Sequence, residues 1–146
     1  MSRFLAVAAL ALGMTASADE KASKEELAKF SGTWKGVSVV QDGKEMTKAE
    51  AETARLTVDG EKYTLKLGGE EIEGTHALDP TKTPKQIEAV RTKGPSKGEK
   101  MLGIYELTGD TFKVCFAAPG KSDRPTEFKS APGSGQRVLL FTRAKP

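Results

Sequence analysis

The chain has 146 residues, which is enough for a single domain. Its 23 lysines and arginines nearly balance 20 aspartates and glutamates, so the net charge of +3 gives no general field for nucleic acid or an anionic membrane. A single cysteine excludes an intrachain disulfide, and one cysteine with one histidine leaves no ligand set for a structural zinc ion.

The N-terminal segment is typical of a secretory signal peptide. Arg3 precedes an apolar run at residues 4–14, and Ala16-Ser17-Ala18 forms a small-residue cleavage site. This run is too short to cross a bilayer, which needs about 20 apolar residues. We therefore predict a cleaved signal peptide at residues 1–18 and one exported domain at residues 19–146, in the periplasm or outside the cell and without a transmembrane segment.

Two short helices are predicted from capping patterns. In "SKEELAKF", Ser23 and Glu26 have the spacing of a capping box, which predicts a helix of one or two turns. Thr47 and Glu50 repeat that spacing and predict a second short helix between the first two strands, within residues 47–54.

From residue 33 onward, apolar and polar residues alternate with a period of two. In "KYTLKL", Tyr63, Leu65 and Leu67 face one way while lysine and threonine face the other, which is typical of a half-buried strand. Asp59-Gly60, Gly68-Gly69 and Gly109-Asp110 supply the turn residues that tight hairpins need. The pattern predicts strands at residues 33–40, 55–59, 62–67, 71–78, 86–91, 101–107, 111–116 and 137–143.

These elements predict an all-β fold. Eight short antiparallel strands with mostly local connections favour a single up-and-down barrel. A sandwich of seven or eight strands is the alternative, but its crossings would require longer connections in the middle of the chain. One connection is long: residues 117–136 are rich in proline and glycine, and loops of this length are often functional or mobile.

The start of the first predicted strand resembles the G-x-W signature of lipocalins, with Gly32 and Trp34 at its two fixed positions. In that superfamily the tryptophan lies at the closed end of the barrel, under a basic side chain from the last strand. The resemblance therefore implies Arg143 as the partner of Trp34, with Arg137 as the weaker choice. It also implies that the preceding helix plugs this end through Leu27 and Phe30.

The chain resembles, more specifically, the planctomycetal-type bacterial lipocalin-like domain family over residues 24–145. The matching stretches are "GTWKGVSVVQDGK", "RLTVDGEKYTLK", "GTHALDPTKTPKQIE", "KGEKMLGIYELTGDTFKVCFAAPGK" and "RPTEFKSAPGSGQRVLLFTRAK". The resemblance implies a small exported lipocalin-like barrel. It implies no common activity for its members.

A barrel of this kind predicts a binding cup lined by inward-facing side chains. The candidate ligand-binding residues are Tyr63, Leu65, Ile72, His76, Ile104 and Phe112. The expected ligand is a small apolar or amphipathic molecule, covered by residues 47–54 or by the long loop. The alternative is a packed barrel without a cavity, which would serve as an envelope structural or protein-interaction module through loops 93–100 and 117–136.

No catalytic constellation is evident, and we expect neither an enzyme nor a cofactor or metal site. His76 lies on the apolar face of its strand, where it is either a core histidine bonded to a neighbour or a ligand contact. No serine, cysteine or carboxylate lies at a spacing that suggests a catalytic partner for it. Cys115 faces away from the aromatic residues of its strand, which predicts a thiol that is either covered by the long loop and inert or exposed. We expect a monomer.

Clusters of charged residues offer two weaker candidates. Glu70, Glu71 and Glu73 lack the spacing of a calcium loop, so a solvated face is the simpler interpretation. Basic residues in two loops would form a site for an anionic head group or polymer if the loops meet, and otherwise serve solubility. These basic residues are Arg91, Lys93, Lys97, Lys100, Lys121, Arg124 and Lys129.

Overall fold

The computed structural model describes residues 20–144, so the predicted signal peptide at residues 1–18 lies outside the described part. Residues 20–30 form a helix, α1, and Lys48–Glu52 forms a second, α2. The strands are β1 (Gly32–Gln41), β2 (Lys44–Glu45), β3 (Arg55–Asp59), β4 (Lys62–Leu67), β5 (Glu70–Asp79), β6 (Lys85–Lys93), β7 (Lys100–Thr108), β8 (Thr111–Phe116) and β9 (Arg137–Arg143).

The sheet closes on itself. From β3 to β9 each strand pairs antiparallel with the next, β3 pairs with β1, and β1 also pairs with β9. These eight strands form the closed barrel. The two-residue strand β2 pairs antiparallel with the last two residues of β1 and with no other strand of the described chain. The predicted up-and-down barrel is confirmed, and its eight strands lie within two residues of the predicted ends. The short strand β2 was not predicted from the sequence.

The two helices differ in how well the capping patterns located them. Thr47 is the N-cap of α2, where its Oγ1 accepts a hydrogen bond from the Glu50 backbone nitrogen at 3.2 Å. The same interpretation was wrong for Ser23, because residues 20–30 are already helical there. The Ser23 hydroxyl instead donates to the Leu78 carbonyl at 2.9 Å, which joins α1 to the barrel.

Trp34 closes one end of the barrel, and this prediction is confirmed. Its indole is fully buried, its Nε1 donates to the Phe30 carbonyl at 2.9 Å, and the Arg143 guanidinium carbon lies 4.2 Å from the ring centroid. Such a contact contributes about 0.5–2 kcal/mol. Arg143 also donates to the carbonyls of Lys29 and Ser31, so it holds the C-terminal end of α1.

Gly32 is fixed by this arrangement. Its φ of 133° is strained for residues with a side chain, and a Cβ there would lie 3.0 Å from Arg143 Nη1. The G-x-W spacing thus provides both a permissive backbone and the ring beneath the guanidinium.

The floor of the barrel is aromatic. Phe30 from α1 packs into the barrel interior, with its ring centroid 4.2 Å from that of Phe112 and 5.8 Å from that of Trp34. Phe112 also lies 6.1 Å from Phe141. Leu27 is buried in the same cluster, so the predicted plug of Leu27 and Phe30 is confirmed.

The long loop packs on the outside of the barrel. The Arg124 guanidinium donates to the carbonyls of Ile87 and Gly103, and the Cys115 thiol donates to the Lys129 carbonyl at 3.4 Å. The placement of Ile104 in the barrel interior was wrong. Ile104 pairs across the sheet with Cys115 on the outward face, and it is only 1% exposed because the loop covers that face.

Candidate functional site

The barrel encloses a cavity of about 80 Å³. Apolar side chains from most of the barrel strands, together with Phe30 of α1, form most of its wall. The lining residues are Phe30, Gln41, Leu56, Tyr63, Leu65, Ile72, His76, Ile87, Ala89, Arg91, Met101, Phe112, Val114, Phe116, Ala117, Gly135, Arg137, Leu139 and Phe141. The volume exceeds what a single water needs and is well below the ~300 Å³ of common ligand pockets, so it limits a ligand to a small molecule.

The structure places most of the sequence-predicted ligand residues on this wall. Tyr63, Leu65, Ile72, His76 and Phe112 all line the cavity, and alternation along their strands explains why. Their role in holding a ligand stays a prediction.

His76 is a neutral wall residue. Its Nε2 lies 2.9 Å from the Gly60 carbonyl oxygen, which can only accept, so Nε2 carries the proton. The ring stacks on Tyr63 at 5.5 Å and lies 5.3 Å from Phe30. Burial lowers the pKa of His76, and the hydrogen bond to Gly60 and the charge of Glu61 only partly oppose this. Of the two roles predicted for His76, the structure shows the core histidine that is hydrogen-bonded to a neighbour. The same ring also lines the cavity.

Two arginines on the cavity wall were missed by the sequence interpretation. Arg91, the last residue of the strand predicted at 86–91, was also grouped with a basic loop, yet it faces the interior from β6 and is only 6% exposed. Arg137, considered only as a partner for Trp34, begins β9 at the other end of that strand from Arg143. The available signal was strand alternation, because Arg91 is in phase with Ile87 and Arg137 with the buried apolar residues of β9.

The two guanidinium groups are held by uncharged oxygens. Arg91 Nη1 donates to the Pro95 carbonyl at 2.6 Å, and Arg137 Nη2 donates to Gln41 Oε1 at 3.0 Å. Among residues 20–144, no carboxylate oxygen lies within 4.0 Å of either group. Burial lowers the pKa of Arg137, the neighbouring charge of Arg91 lowers it further, and Glu70 and Tyr63 partly offset these effects.

Two polar atoms of the wall lack a partner. The Tyr63 hydroxyl and Arg91 Nε are both buried, and neither has a hydrogen-bond partner within residues 20–144. Tyr63 lies flat against Gly74, its cross-strand neighbour, where a Cβ would come within 2.7 Å of the hydroxyl. Gly74 therefore lets the phenol reach across toward β6, the strand that carries Arg91.

The predicted basic patch is dispersed. Loops 93–100 and 117–136 do meet, because the Gly120 backbone nitrogen donates to the Lys100 carbonyl at 3.0 Å. However, Arg91 points into the cavity and Arg124 is bound to strand carbonyls. Lys129 lies 3.6 Å from a carboxylate of its own loop.

The remaining candidate residues form no functional site within the described part of the chain. Cys115 is fully buried under the long loop, and burial raises the pKa of its thiol, so it is the covered thiol of the two predicted states. Glu73 lies 3.2 Å from Lys93. Within the described residues, no three His, Cys, Asp or Glu side chains are grouped closely enough to hold a metal ion. None of the helices in residues 20–144 has the length and apolar character to cross a membrane.

No protein-family model, curated protein or solved structure matches the chain.

Proposed function

We propose that this chain is an exported binding protein of the lipocalin-like type, which holds a small apolar or amphipathic molecule inside its barrel. The observation that supports this most directly is the cavity, whose wall is mostly apolar and interrupted by only a few polar side chains. The contact between Trp34 and Arg143 supports assignment to the planctomycetal-type lipocalin-like family. Export depends on the signal peptide predicted at residues 1–18.

A binding role fits the chemistry of the wall better than a catalytic one. The neutral imidazole of His76 is engaged by Gly60, and the thiol of Cys115 lies outside the cavity under the loop. A general base or nucleophile needs a partner positioned to activate it. The cavity wall offers positioning and burial instead.

The first experiment is native mass spectrometry of the protein purified without detergent. A mass excess that disappears on denaturation identifies a captured molecule. A protein that stays ligand-free, even after incubation with lipid extract of the cell envelope, contradicts the proposal.

Filling the cavity gives the matching mutational prediction. Ala89 lines the cavity, so Ala89→Leu puts an isobutyl group where a ligand would lie and should abolish uptake. Ala77→Leu is the control, because Ala77 is exposed on the outer face of the adjacent strand. Lost uptake in Ala89→Leu could come from a filled cavity or from a destabilised fold, and denaturant unfolding distinguishes these two explanations. A loss of more than about 3 kcal/mol for Ala89→Leu indicates an overpacked core rather than a filled cup.

A second candidate is a barrel that acts through its loops. The small cavity volume and the contact between loops 93–100 and 117–136 at Gly120 favour it. In that case the wild type should capture no small molecule, and a loss of more than about 3 kcal/mol for Ala89→Leu would show that the barrel interior is already packed.

A further inference from the structure

The cavity wall carries two positively charged side chains that form no ion pair within residues 20–144. Arg91 and Arg137 both line its wall, and no carboxylate among residues 20–144 pairs with either. Burying a charge is costly unless it is paired and hydrogen-bonded. Two other partly buried basic side chains show the usual solution: Lys85 lies 2.9 Å from Glu26, and Arg124 lies 3.8 Å from Glu88.

The same part of the wall presents donors without acceptors. The Tyr63 hydroxyl and Arg91 Nε are buried without a partner in the described chain, although most buried polar atoms in proteins have one. Tyr63 is 9% exposed and Arg91 6%, so both are more than nine-tenths buried. Tyr63 pairs across the sheet with Gly74 and Gly74 with Arg91, while Arg137 lines the same cavity. Burial raises the pKa of the phenol, and the charges of Arg91 and Arg137 partly oppose this.

A ligand that satisfies these donors would accept hydrogen bonds and carry negative charge. Arginine has donors only, and a neutral phenol has one donor to offer. A planar carboxylate matches a guanidinium fork and can take further donors on its remaining lone pairs. Beyond these groups most of the wall is apolar, with Ile72, Leu65 and Phe112 leading to the aromatic floor. The small volume of about 80 Å³ and the apolar side chains favour a small aliphatic ligand over a bulky fused ring system.

We propose that the cavity binds an aliphatic monocarboxylic acid, with its carboxylate held by Arg91, Arg137 and the Tyr63 hydroxyl and its alkyl tail directed toward Phe30. This inference depends on the proposed binding function and specifies its ligand class. The two arginines of β9 then have different roles. Arg143 packs on Trp34 at the floor of the barrel, and Arg137 binds the carboxylate at the other end of the strand.

Calorimetric titration of the refolded, lipid-free protein with decanoate and decan-1-ol tests the inference. The two molecules share a tail and differ in the charged head, and both are kept below their aggregation limits. Decanoate should bind at least roughly tenfold more tightly than decan-1-ol, because hydrogen bonds to charged groups contribute enough binding free energy for such a difference. Arg137→Gln should reduce this preference, because it should lower the affinity for decanoate far more than the affinity for decan-1-ol.

Two further variants isolate the site. Arg55→Gln is the matched control, because it removes the same charge from an exposed position on β3. Tyr63→Phe keeps the ring and deletes only the unpartnered hydroxyl. It should weaken decanoate binding roughly fivefold to tenfold without reducing the thermal stability of the ligand-free protein.

The outcomes separate the two proposals. If decan-1-ol binds as tightly as decanoate, the carboxylate site is overturned while the binding function stands. The same holds if Arg137→Gln and Tyr63→Phe both leave the preference intact. If decyl phosphate binds more tightly than decanoate, the assignment of the head group is overturned. If neither decanoate nor decan-1-ol binds and the native mass is ligand-free, both proposals fall.

Discussion

At the scale of single residues, Trp34 makes the clearest prediction. Trp34→Ala removes a fully buried indole, its hydrogen bond to the Phe30 carbonyl and the ring under Arg143. The free energy of unfolding should fall by about 3–5 kcal/mol, the usual cost of deleting a large buried aromatic side chain. Denaturant unfolding, followed by far-UV circular dichroism, measures it.

The control for this variant lies on the same strand. Val37→Ala changes a side chain that is 39% exposed, so its effect should stay within about 0.5 kcal/mol. A loss below about 1 kcal/mol for Trp34→Ala would mean that Trp34 does not close the barrel.

Single side chains were predictable where only one face of a strand is apolar. In β4, lysine and threonine mark the wet face, so Tyr63 and Leu65 had to point inward. In β7 both faces are apolar, because the long loop covers the outer one, and Ile104 was therefore placed on the wrong side. Arg91 was assigned to solvent by its charge, and only the closed barrel reveals that its strand position turns it inward.

At the scale of elements, α1 is attached to the barrel through a buried carboxylate. Glu26 is only 4% exposed, and its Oε2 accepts from Lys85 Nζ at 2.9 Å and from the Tyr105 hydroxyl at 2.8 Å. Burial by itself would raise the pKa of Glu26, but these two hydrogen bonds and the lysine charge outweigh it and hold the pKa below 4.5. The helix is thereby joined to β6 and β7.

Glu26→Ala should therefore loosen the plug. We expect a loss of about 2 kcal/mol, since Tyr105 is left with a buried unpaired hydroxyl while Lys85 is partly exposed and can reach water. Glu25→Ala is the control on the exposed side of the same helix and should cost no more than about 0.5 kcal/mol. Equal losses for the two variants would contradict the role of Glu26.

The pH dependence of this contact has a definite sign. Because the folded-state pKa of Glu26 is depressed, the stabilisation is complete above the unfolded value of about 4.5 and is lost as the pH falls through the lower folded value. The sequence suggested a different role for Glu26, as part of a capping box with Ser23. Spacing along the chain could not reveal that Tyr105 and Lys85 approach this carboxylate from two strands.

At the scale of the whole molecule, the barrel was predictable because turns and alternation are local properties. Consecutive antiparallel strands joined by short connections pair with each other. The twist of eight such strands then brings β1 next to β9 and closes the barrel. The cavity was not predictable in the same way. Its volume depends on how side chains from α1 and most barrel strands fill one space together, with Gly74 making room for Tyr63.

The stability of the folded molecule should also depend on its only histidine. Burial holds the pKa of His76 below 6.5, so the unfolded chain binds more protons between the two pKa values. Stability is then complete above about pH 6.5 and falls as the pH is lowered toward the folded-state pKa. Each unit of separation between the two values is worth about 1.4 kcal/mol.

Urea unfolding of the wild type and His76→Gln at about pH 7.5 and about pH 5.5 measures this dependence, because no other side chain ordinarily titrates in that interval. The wild type should lose stability at the lower pH, whereas His76→Gln, whose amide can still donate to the Gly60 carbonyl, should change little. A proton NMR titration of the imidazole reports the folded-state pKa independently. If the variant shows the same loss as the wild type, or if the imidazole titrates at or above 6.5, His76 is not the buried neutral group that the cavity wall requires.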